Sequence, residues 1–231
     1  MMRFTEALRE CAYSGYVPVI PDFKIISPAD GPLFEGRDVI EAAKAMESAG
    51  APALSVVTEG TQFGGSAKLL SQIAEVVNIP ILRKDFIKMR GDVEATIRMG
   101  ASAILLICSC MSEETFRELY HTSLELGITP LVETHSETEL QLAASLGAEL
   151  IGINNRDILT LERDGGNVST TAKLAVAKPK NAFLISESGI QNSEDVRIAL
   201  RSGADAVLVG TAIWKSEDPF AYYRELSRTK V

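Results

Sequence analysis

One phrase constrains this chain more than any other: Gly-Ala followed by a short apolar run, written four times about 50 residues apart. The copies are Gly50-Ala51 before Ala53-Leu54-Ser55-Val56-Val57 and Gly100-Ala101 before Ala103-Ile104-Leu105-Leu106-Ile107. The phrase returns as Gly147-Ala148 before Leu150-Ile151-Gly152-Ile153, and as Gly203-Ala204 before Ala206-Val207-Leu208-Val209. Each copy follows a stretch with helical periodicity, so each glycine reads as a helix C-terminal cap that turns the chain into a buried strand. Four other apolar runs alternate with these: Val17-Pro18-Val19-Ile20, Ile79-Pro80-Ile81-Leu82, Ile128-Thr129-Pro130-Leu131-Val132 and Ala182-Phe183-Leu184-Ile185. Proline near the start of a run is tolerated because the strand ladder has not yet begun.

Eight strands result, and each is followed by a helical segment. The pattern predicts helices over Asp38–Ala49, Ser66–Val77, Asp92–Met99, Ser112–Leu126, Ser136–Leu146, Thr170–Ala177, Asn192–Arg201 and Asp218–Ser227. Continuous apolar strands alternating with helices imply a parallel sheet covered on its outer face. Eight such units in 231 residues close into a (β/α)8 TIM barrel, where an open doubly wound sheet would use fewer strands. No Gly/Ser/Pro linker divides the chain, so residues 1–231 are expected to form a single barrel domain.

Composition removes several classes of function. Lys and Arg total 23 against 31 Asp and Glu, a net charge of −8. With no clustered basic run, nucleic acid and anionic membrane are not expected partners. No stretch reaches the roughly 20 apolar residues of a membrane span, and the start, Met1 to Glu6, turns polar too early for a secretory leader. Three cysteines, an odd number, point to a reducing, cytoplasmic setting rather than a disulfide framework.

In a barrel of this type the loops after the strands hold the active site. The ends of the successive runs read Asp22-Phe23-Lys24, Thr58-Glu59, Arg83-Lys84-Asp85, Cys108-Ser109-Cys110, Glu133, Asn154-Asn155-Arg156, Ser186-Glu187-Ser188-Gly189 and Gly210-Thr211. Side chains alternate along a strand, so Asp22 and Lys24 share a face. If that face is the interior, they meet Lys84, Glu133 and Glu187 in a cluster where neighbouring charges push pKa values apart, as acid–base chemistry requires. A ring of salt bridges closing the barrel is the plainer alternative for any one pair. It is weak for the whole set, because buried ion pairs add little net stability. Ser188-Gly189-Ile190 and Gly210-Thr211-Ala212 are glycine turns exposing backbone N–H groups on the last two strands, the place where such barrels hold phosphate. Ser27 offers a further hydroxyl.

Other features read plainly. Cys108-x-Cys110 lacks the four ligands of a structural zinc site, and no metal or cofactor is expected. Cys11 stands alone. His121 falls within a helix and is expected to be solvated. His135, just past Glu133, reads either as a contact to substrate or, more plainly, as a polar contact at the start of a helix. Thr61-Gln62-Phe63-Gly64-Gly65-Ser66 fits neither the Walker nor the dinucleotide spacing. Phe63 and Phe86 suit either aromatic walls for a flat ligand or lid packing.

Taken together, the phrases resemble the indole-3-glycerol phosphate synthase family of tryptophan biosynthesis over nearly the whole chain. The matching stretches are Leu54–Glu59, Phe63–Ser66, Leu82-Arg83-Lys84-Asp85-Phe86-Ile87, Leu131-Val132-Glu133, Gly152-Ile153-Asn154-Asn155-Arg156, Ser186-Glu187-Ser188-Gly189-Ile190 and Leu208-Val209-Gly210. The resemblance implies a phosphate-binding barrel. It implies a carboxy-lyase that closes and decarboxylates 1-(2-carboxyphenylamino)-1-deoxyribulose 5-phosphate, releasing carbon dioxide and water. On that basis Lys84 is the general acid on the sugar oxygen, and Lys24 binds the anthranilate carboxylate and then assists after decarboxylation. Glu133 and Asn154 serve closure and later proton transfer, and Glu187 and Ser188 complete the polar ring with Asp22. Phosphate lies against Ser27, Gly189, Gly210 and Thr211, while Phe63, Phe86, Leu105 and Arg156 line the anthranilate pocket. The sequence departs from the family around its first strand. Asp22 stands where glutamate is usual, a retreat of about an ångström in a setting where small misplacements can cost roughly a hundredfold in rate. Ile25 replaces a common arginine, the loop Ser27–Phe34 differs, and the helix that usually covers the barrel is expected to be absent or much shortened.

Two other readings stay open at this point. A paralogue acting on a different sugar phosphate would turn over another amino-ketose phosphate and not the indole precursor. A non-catalytic barrel would bind a phosphate metabolite without turnover. The expected partner is a small sugar phosphate, and the barrel is expected to be a monomer or weak homodimer with contact to other tryptophan-pathway enzymes as a further expectation.

Overall fold

Eight of the ten strands are buried at every position except Lys84, the last residue of its strand, which is the signature of a sheet covered on both faces. The computed structural model describes residues 3–156 and 167–230. The barrel strands are β1 (Val19–Phe23), β4 (Leu54–Val57), β5 (Ile81–Lys84), β6 (Ala103–Ile107), β7 (Thr129–Thr134), β8 (Leu150–Asn154), β9 (Phe183–Glu187) and β10 (Ala206–Val209). They pair in parallel in that order, and β10 closes onto β1. The expected (β/α)8 barrel is the observed one. A small antiparallel hairpin, β2 (Ile26–Ser27) with β3 (Gly31–Pro32), fills the loop after β1.

The outer helices are α2 (Val39–Ser48), α3 (Ala67–Ala74), α4 (Arg90–Arg98), α5 (Glu113–Glu125), α6 (Glu137–Ser145), α7 (Ser169–Leu174), α8 (Ser193–Arg201) and α10 (Pro219–Ser227). Their starts were legible because polar caps satisfy the orphan N–H groups of the first turn. Asp38, Ser66, Ser112, Ser136, Asn192 and Asp218 each accept backbone N–H bonds at the helix they precede. α4 begins two residues before the expected Asp92, whose carboxylate instead reaches back to the N–H groups of Lys88 and Met89. At the other ends, the four repeat glycines Gly50, Gly100, Gly147 and Gly203 have φ of 97°, 90°, 67° and 108°, the left-handed turn anticipated for them. Among the described residues no helix is long and apolar enough to cross a membrane.

Two further helices were not anticipated. α9 (Thr211–Trp214) is a short turn directly after β10. α1 (Phe4–Tyr13) precedes β1 and closes the end of the barrel away from the strand-end loops. Phe4 and Leu8, one helical turn apart, are fully buried and join the inner apolar cluster with Ile20, Ala53, Leu82, Ala103, Leu150, Phe183 and Ala206. These residues sit at the start of their strands, so α1 plugs the bottom. A second, larger apolar cluster lies between the outer faces of the strands and the helices.

The plug makes a testable claim about stability. Phe4→Ala empties a fully buried site, and truncations of this kind cost roughly 3–5 kcal/mol. Denaturant titration of the variant should show a lowered midpoint with an unchanged slope, the shift times the slope giving that free energy.

Candidate active site

The inner face of the barrel changes chemistry one layer above the apolar plug. Ile20, Leu82, Leu131 and Ile185 belong to the inner cluster. Two residues further along the same strands, and therefore on the same face, stand Asp22, Lys84, Glu133 and Glu187. Register places them at one level: Asp22 lies opposite Ser55, Glu133 opposite Gly152, and Asn154 opposite Glu187. All of these are buried except Lys84, which is partly exposed.

Charge and shape fix the layer. The Lys84 ammonium lies 3.2 Å from Glu187 Oε2, and Glu187 is fully buried. Burial pushes the Glu187 carboxyl up to about 7; the Lys84 charge opposes that rise, while Glu133 and Asp22 add to it. A carboxyl poised there both gives and takes protons near neutrality. Glu187 fits only because its neighbour is glycine: a Cβ on Gly152 would stand 2.0 Å from Glu187 Oε1. The shorter Asp22 is held by the Ser55 hydroxyl, which donates to its Oδ1 at 2.6 Å. Trp214 of α9 donates its indole N–H to the Asp22 carbonyl at 2.7 Å, anchoring the backbone at this point.

Two cavities open from this floor. One, of about 430 Å³, is lined by Phe63, Phe86, Leu105 and Ile107 together with Asp22, Lys24, Lys84, Glu133 and Asn154. Lys24 Nζ lies 5.7 Å from the Phe63 ring centre. Phe63 is carried by a loop folded around Glu59, whose carboxylate accepts the N–H groups of Thr61, Gln62 and Phe63. Its carbonyl is tied to the hairpin by the Ile26 N–H at 2.9 Å. That loop spends its amides on Glu59 and so is not a nucleotide loop. The second cavity, of about 420 Å³, shares Asp22, Lys24 and Lys84 but is otherwise lined by Arg156, Ser188, Gly189, Gly210, Thr211 and their neighbours.

The turn at the second cavity is built under strain. Ser188 has φ of 63° and is the only described non-glycine residue with positive φ; Gly189 follows with φ of 74°. Asn155 holds it in place, donating to Ser186 Oγ, the Glu187 carbonyl and the Ser188 carbonyl, each at 3.0 Å. The Asn155 carbonyl oxygen accepts the Thr171 N–H at 2.9 Å and its hydroxyl at 3.0 Å, fastening the turn to α7.

A family model described as indole-3-glycerol phosphate synthase matches residues 1–226. The chain belongs to the indole-3-glycerol phosphate synthase family. It is 45% identical over 213 residues to the indole-3-glycerol phosphate synthase of Thermococcus kodakarensis, covering 92% of this chain and 93% of that one. It is 40% identical over 214 residues to that of Pyrococcus abyssi, covering 93% of each. It is likewise 40% identical over 215 residues to the tryptophan biosynthesis protein TrpCD of Archaeoglobus fulgidus, covering 93% of this chain and 38% of that protein.

Of the residues singled out from the resemblance to the indole-3-glycerol phosphate synthase family, most converge. Lys24, Lys84, Asp22, Glu133 and Asn154 line the first cavity with Phe63, Phe86 and Leu105, and Ser188, Gly189, Gly210 and Thr211 line the second. Glu187 lines neither cavity but lies against Lys84, which borders both. Two residues stand elsewhere. Ser27 lines neither cavity: its hydroxyl donates to Asp30 Oδ2 at 3.0 Å, and Asp30 in turn pairs with Lys215 at 2.6 Å. Hairpin pairing of Ser27 with Gly31 turns it toward that pair. Arg156 lines the glycine-turn cavity and not the aromatic one. The plain reading stands for His121, which is exposed, and Cys11, Cys108 and Cys110 form no disulfide. The positioning roles of Ser55, Gly152 and Asn155 escaped sequence reasoning. Their only signal was a place within the matching phrases. A wider groove at the opposite end, lined by Glu10, Cys11, Tyr16 and Arg224 among others, brings together none of this layer.

Two measurements test the layer. Difference infrared spectroscopy should show a protonated carboxyl band that disappears as pH rises through about 7 and is missing in Glu187→Gln. Gly152→Ala should overpack the floor, costing roughly 1–3 kcal/mol of stability, and should move the Glu187 band as its carboxyl is displaced.

Proposed function

We propose that this barrel performs the indole-3-glycerol phosphate synthase reaction on the Asp22–Lys24–Lys84–Glu133–Asn154–Glu187 layer. The chemistry is ring closure, decarboxylation and dehydration of 1-(2-carboxyphenylamino)-1-deoxyribulose 5-phosphate to indole-3-glycerol phosphate. The observation that carries the residue roles is the shared floor: Lys24 and Lys84 border both cavities, one walled by aromatic residues and the other by glycine turns. A substrate with a flat aromatic acid at one end and a phosphate at the other suits that division. The aromatic ring lies between Phe63 and Phe86, and its carboxylate pairs with Lys24, whose ammonium is already beside Phe63. The phosphate is received by the Gly189 and Gly210–Thr211 turns with Arg156 at their side, a placement that moves Arg156 from the anthranilate end to the phosphate end. Ser27 has no part in this reading, because its hydroxyl is engaged by Asp30.

Between the two ends the reacting carbons lie over the polar layer. Lys84, held by Glu187, donates to the sugar oxygen as the ring closes. Lys24 neutralises the carboxylate while carbon dioxide departs, and Glu133 handles the later proton transfer with Asn154 beside it offering hydrogen bonds. The protein carries a net charge of −8 and an anionic substrate, so binding rests on these fixed local donors rather than on the overall field. The TrpCD protein of Archaeoglobus fulgidus, whose match covers 38% of its length, supports contact with other enzymes of tryptophan biosynthesis as part of the same reading.

Incubation with the carboxyphenylamino sugar phosphate should produce indole fluorescence. Lys84→Ala should lower kcat by at least about a hundredfold while circular dichroism shows the fold retained. Full activity in that variant would refute the assignment of the general acid.

A further inference from the structure

The reaction assigned above takes up a proton. A carboxylate leaves as neutral carbon dioxide and a hydroxyl leaves as water, so charge balance requires one proton from solvent in each turnover. Substrate occupying the two cavities covers the floor. Glu133 is fully buried there, and neither of its carboxylate oxygens has a hydrogen-bond partner among the described residues. A proton route that avoids the bound substrate has to reach Glu133 from beside the cavities, through a group that lines neither of them.

His135 stands there. It follows Glu133 by two residues, on the same side of the chain, yet lines neither cavity. Its Nε2 is 3.4 Å from Glu133 Oε1, and its Nδ1 is 3.6 Å from Glu139 Oε2. Both ring nitrogens are out of contact with solvent, so the two carboxylates are their neighbours. Glu139, in the first turn of α6, is fixed by the His135 backbone N–H at 2.6 Å. Its side chain is 21% exposed and lines a groove beside Glu113, Arg117 and Gln141, on the flank of the barrel. The imidazole therefore bridges a buried site carboxylate and a carboxylate that meets water.

The groups facing the ring favour its charged form. They are Glu133 on its own strand, Glu139 on α6 and Glu187 on β9. Burial alone lowers the His135 pKa, but the contact with Glu139 and the charges of all three glutamates outweigh it and raise it above its ordinary value. The thiols of Cys108 and Cys110, after β6, feel the same carboxylates and are pushed up by burial and by those charges, so they stay neutral.

We propose that His135 is the positioning and proton-supplying residue for Glu133, drawing protons from solvent through Glu139 on the barrel flank and not through the substrate mouth. The proposal rests on the role given to Glu133 above. In the step, the His135 Nε2–H bond breaks and a Glu133 O–H bond forms, the electron pair remaining on Nε2. Glu139 takes a proton from solvent and passes it to the deprotonated nitrogen as the ring turns about its Cβ–Cγ bond, which restores the imidazolium.

The test compares pH profiles of kcat for the full chain and for His135→Asn, His135→Ala, Glu139→Gln and Glu133→Gln. In the parent protein kcat should fall as pH rises through a value above 6.5, the ordinary histidine value, where the imidazolium is lost. His135→Asn should lack that limb and lose kcat on the order of a hundredfold, the lower end of what a positioned proton donor contributes, with KM unchanged. Added imidazole should restore His135→Ala, and Glu139→Gln should move the limb to lower pH. A His135→Asn enzyme with the parent profile, or a loss that is flat in pH and indifferent to imidazole, overturns the proposal. Glu133→Gln separates the two levels. Its full activity would sink the role of Glu133 and this proposal with it, whereas an inactive Glu133→Gln beside parent-like His135 variants removes the supply route alone. The chain has 2 histidines, so an NMR titration resolves His135 directly. Its midpoint should lie above 6.5 and fall in Glu139→Gln, and a midpoint at or below 6.5 in the parent would also overturn the proposal.

Discussion

The ion pair between Lys84 and Glu187 is the constraint around which the rest of the interior is arranged. A carboxylate with no exposure is costly to hold charged, and a pair of this kind adds little net stability compared with apolar packing. Its presence in the centre of a barrel is best understood through what it does to its members. It presents a lysine with a defined direction, and it leaves the glutamate near the midpoint of its titration. The pair exists because β8 gives way: Gly152 lies beside Glu133 in register, and its missing side chain is the space that Glu187 fills. One backbone position thus connects three strands and two charged groups.

From that floor the division into an aromatic and a glycine-turn cavity follows. Part of each cavity's wall comes from loops that are fastened to one another or to the helices. Glu59 gathers the loop that carries Phe63, the hairpin after β1 is bonded to that loop, and Asn155 pins the strained Ser188 turn to α7. Such fastening lowers the conformational freedom that substrate binding would otherwise have to remove. The departures around β1 find their places here. Asp22 is shorter than the usual glutamate, and Ser55 holds it. Ile25 packs against the outer core instead of presenting a charge.

Most of the fold was legible because its signals are local. Capping side chains mark helix starts, and glycines with left-handed backbone mark helix ends. The apolar runs at β1 and β5 stop at Ile20 and Leu82, yet the polar phrases that follow them were read as strand ends facing the interior, and the ladders do run to Phe23 and Lys84. It was the rule that strand ends carry the site that found Asp22 and Lys84, since hydrophobic patterning alone is blind to a polar interior. The same blindness applies to Ser55, Gly152 and Asn155, whose residue types are common in turns and surfaces. Helix α1 was missed because its apolar stripe is short; only its insertion into the barrel end shows what Phe4 and Leu8 are for.

The amino-acid sequence by itself determined the eightfold alternation, the parallel barrel and the identity of nearly every group on the floor, because periodicity, caps and strand ends are properties of neighbouring residues. It also settled the family, through phrases that lie on strands far apart in the chain. What only the tertiary structure decided is which of those groups share a space. Ser27 turned to Asp30, Arg156 took the side of the glycine turns, and His135 came to rest between two carboxylates. Each outcome depends on packing between segments distant in sequence, where a displacement of an ångström decides whether two charges pair, and no local pattern encodes a distance of that kind.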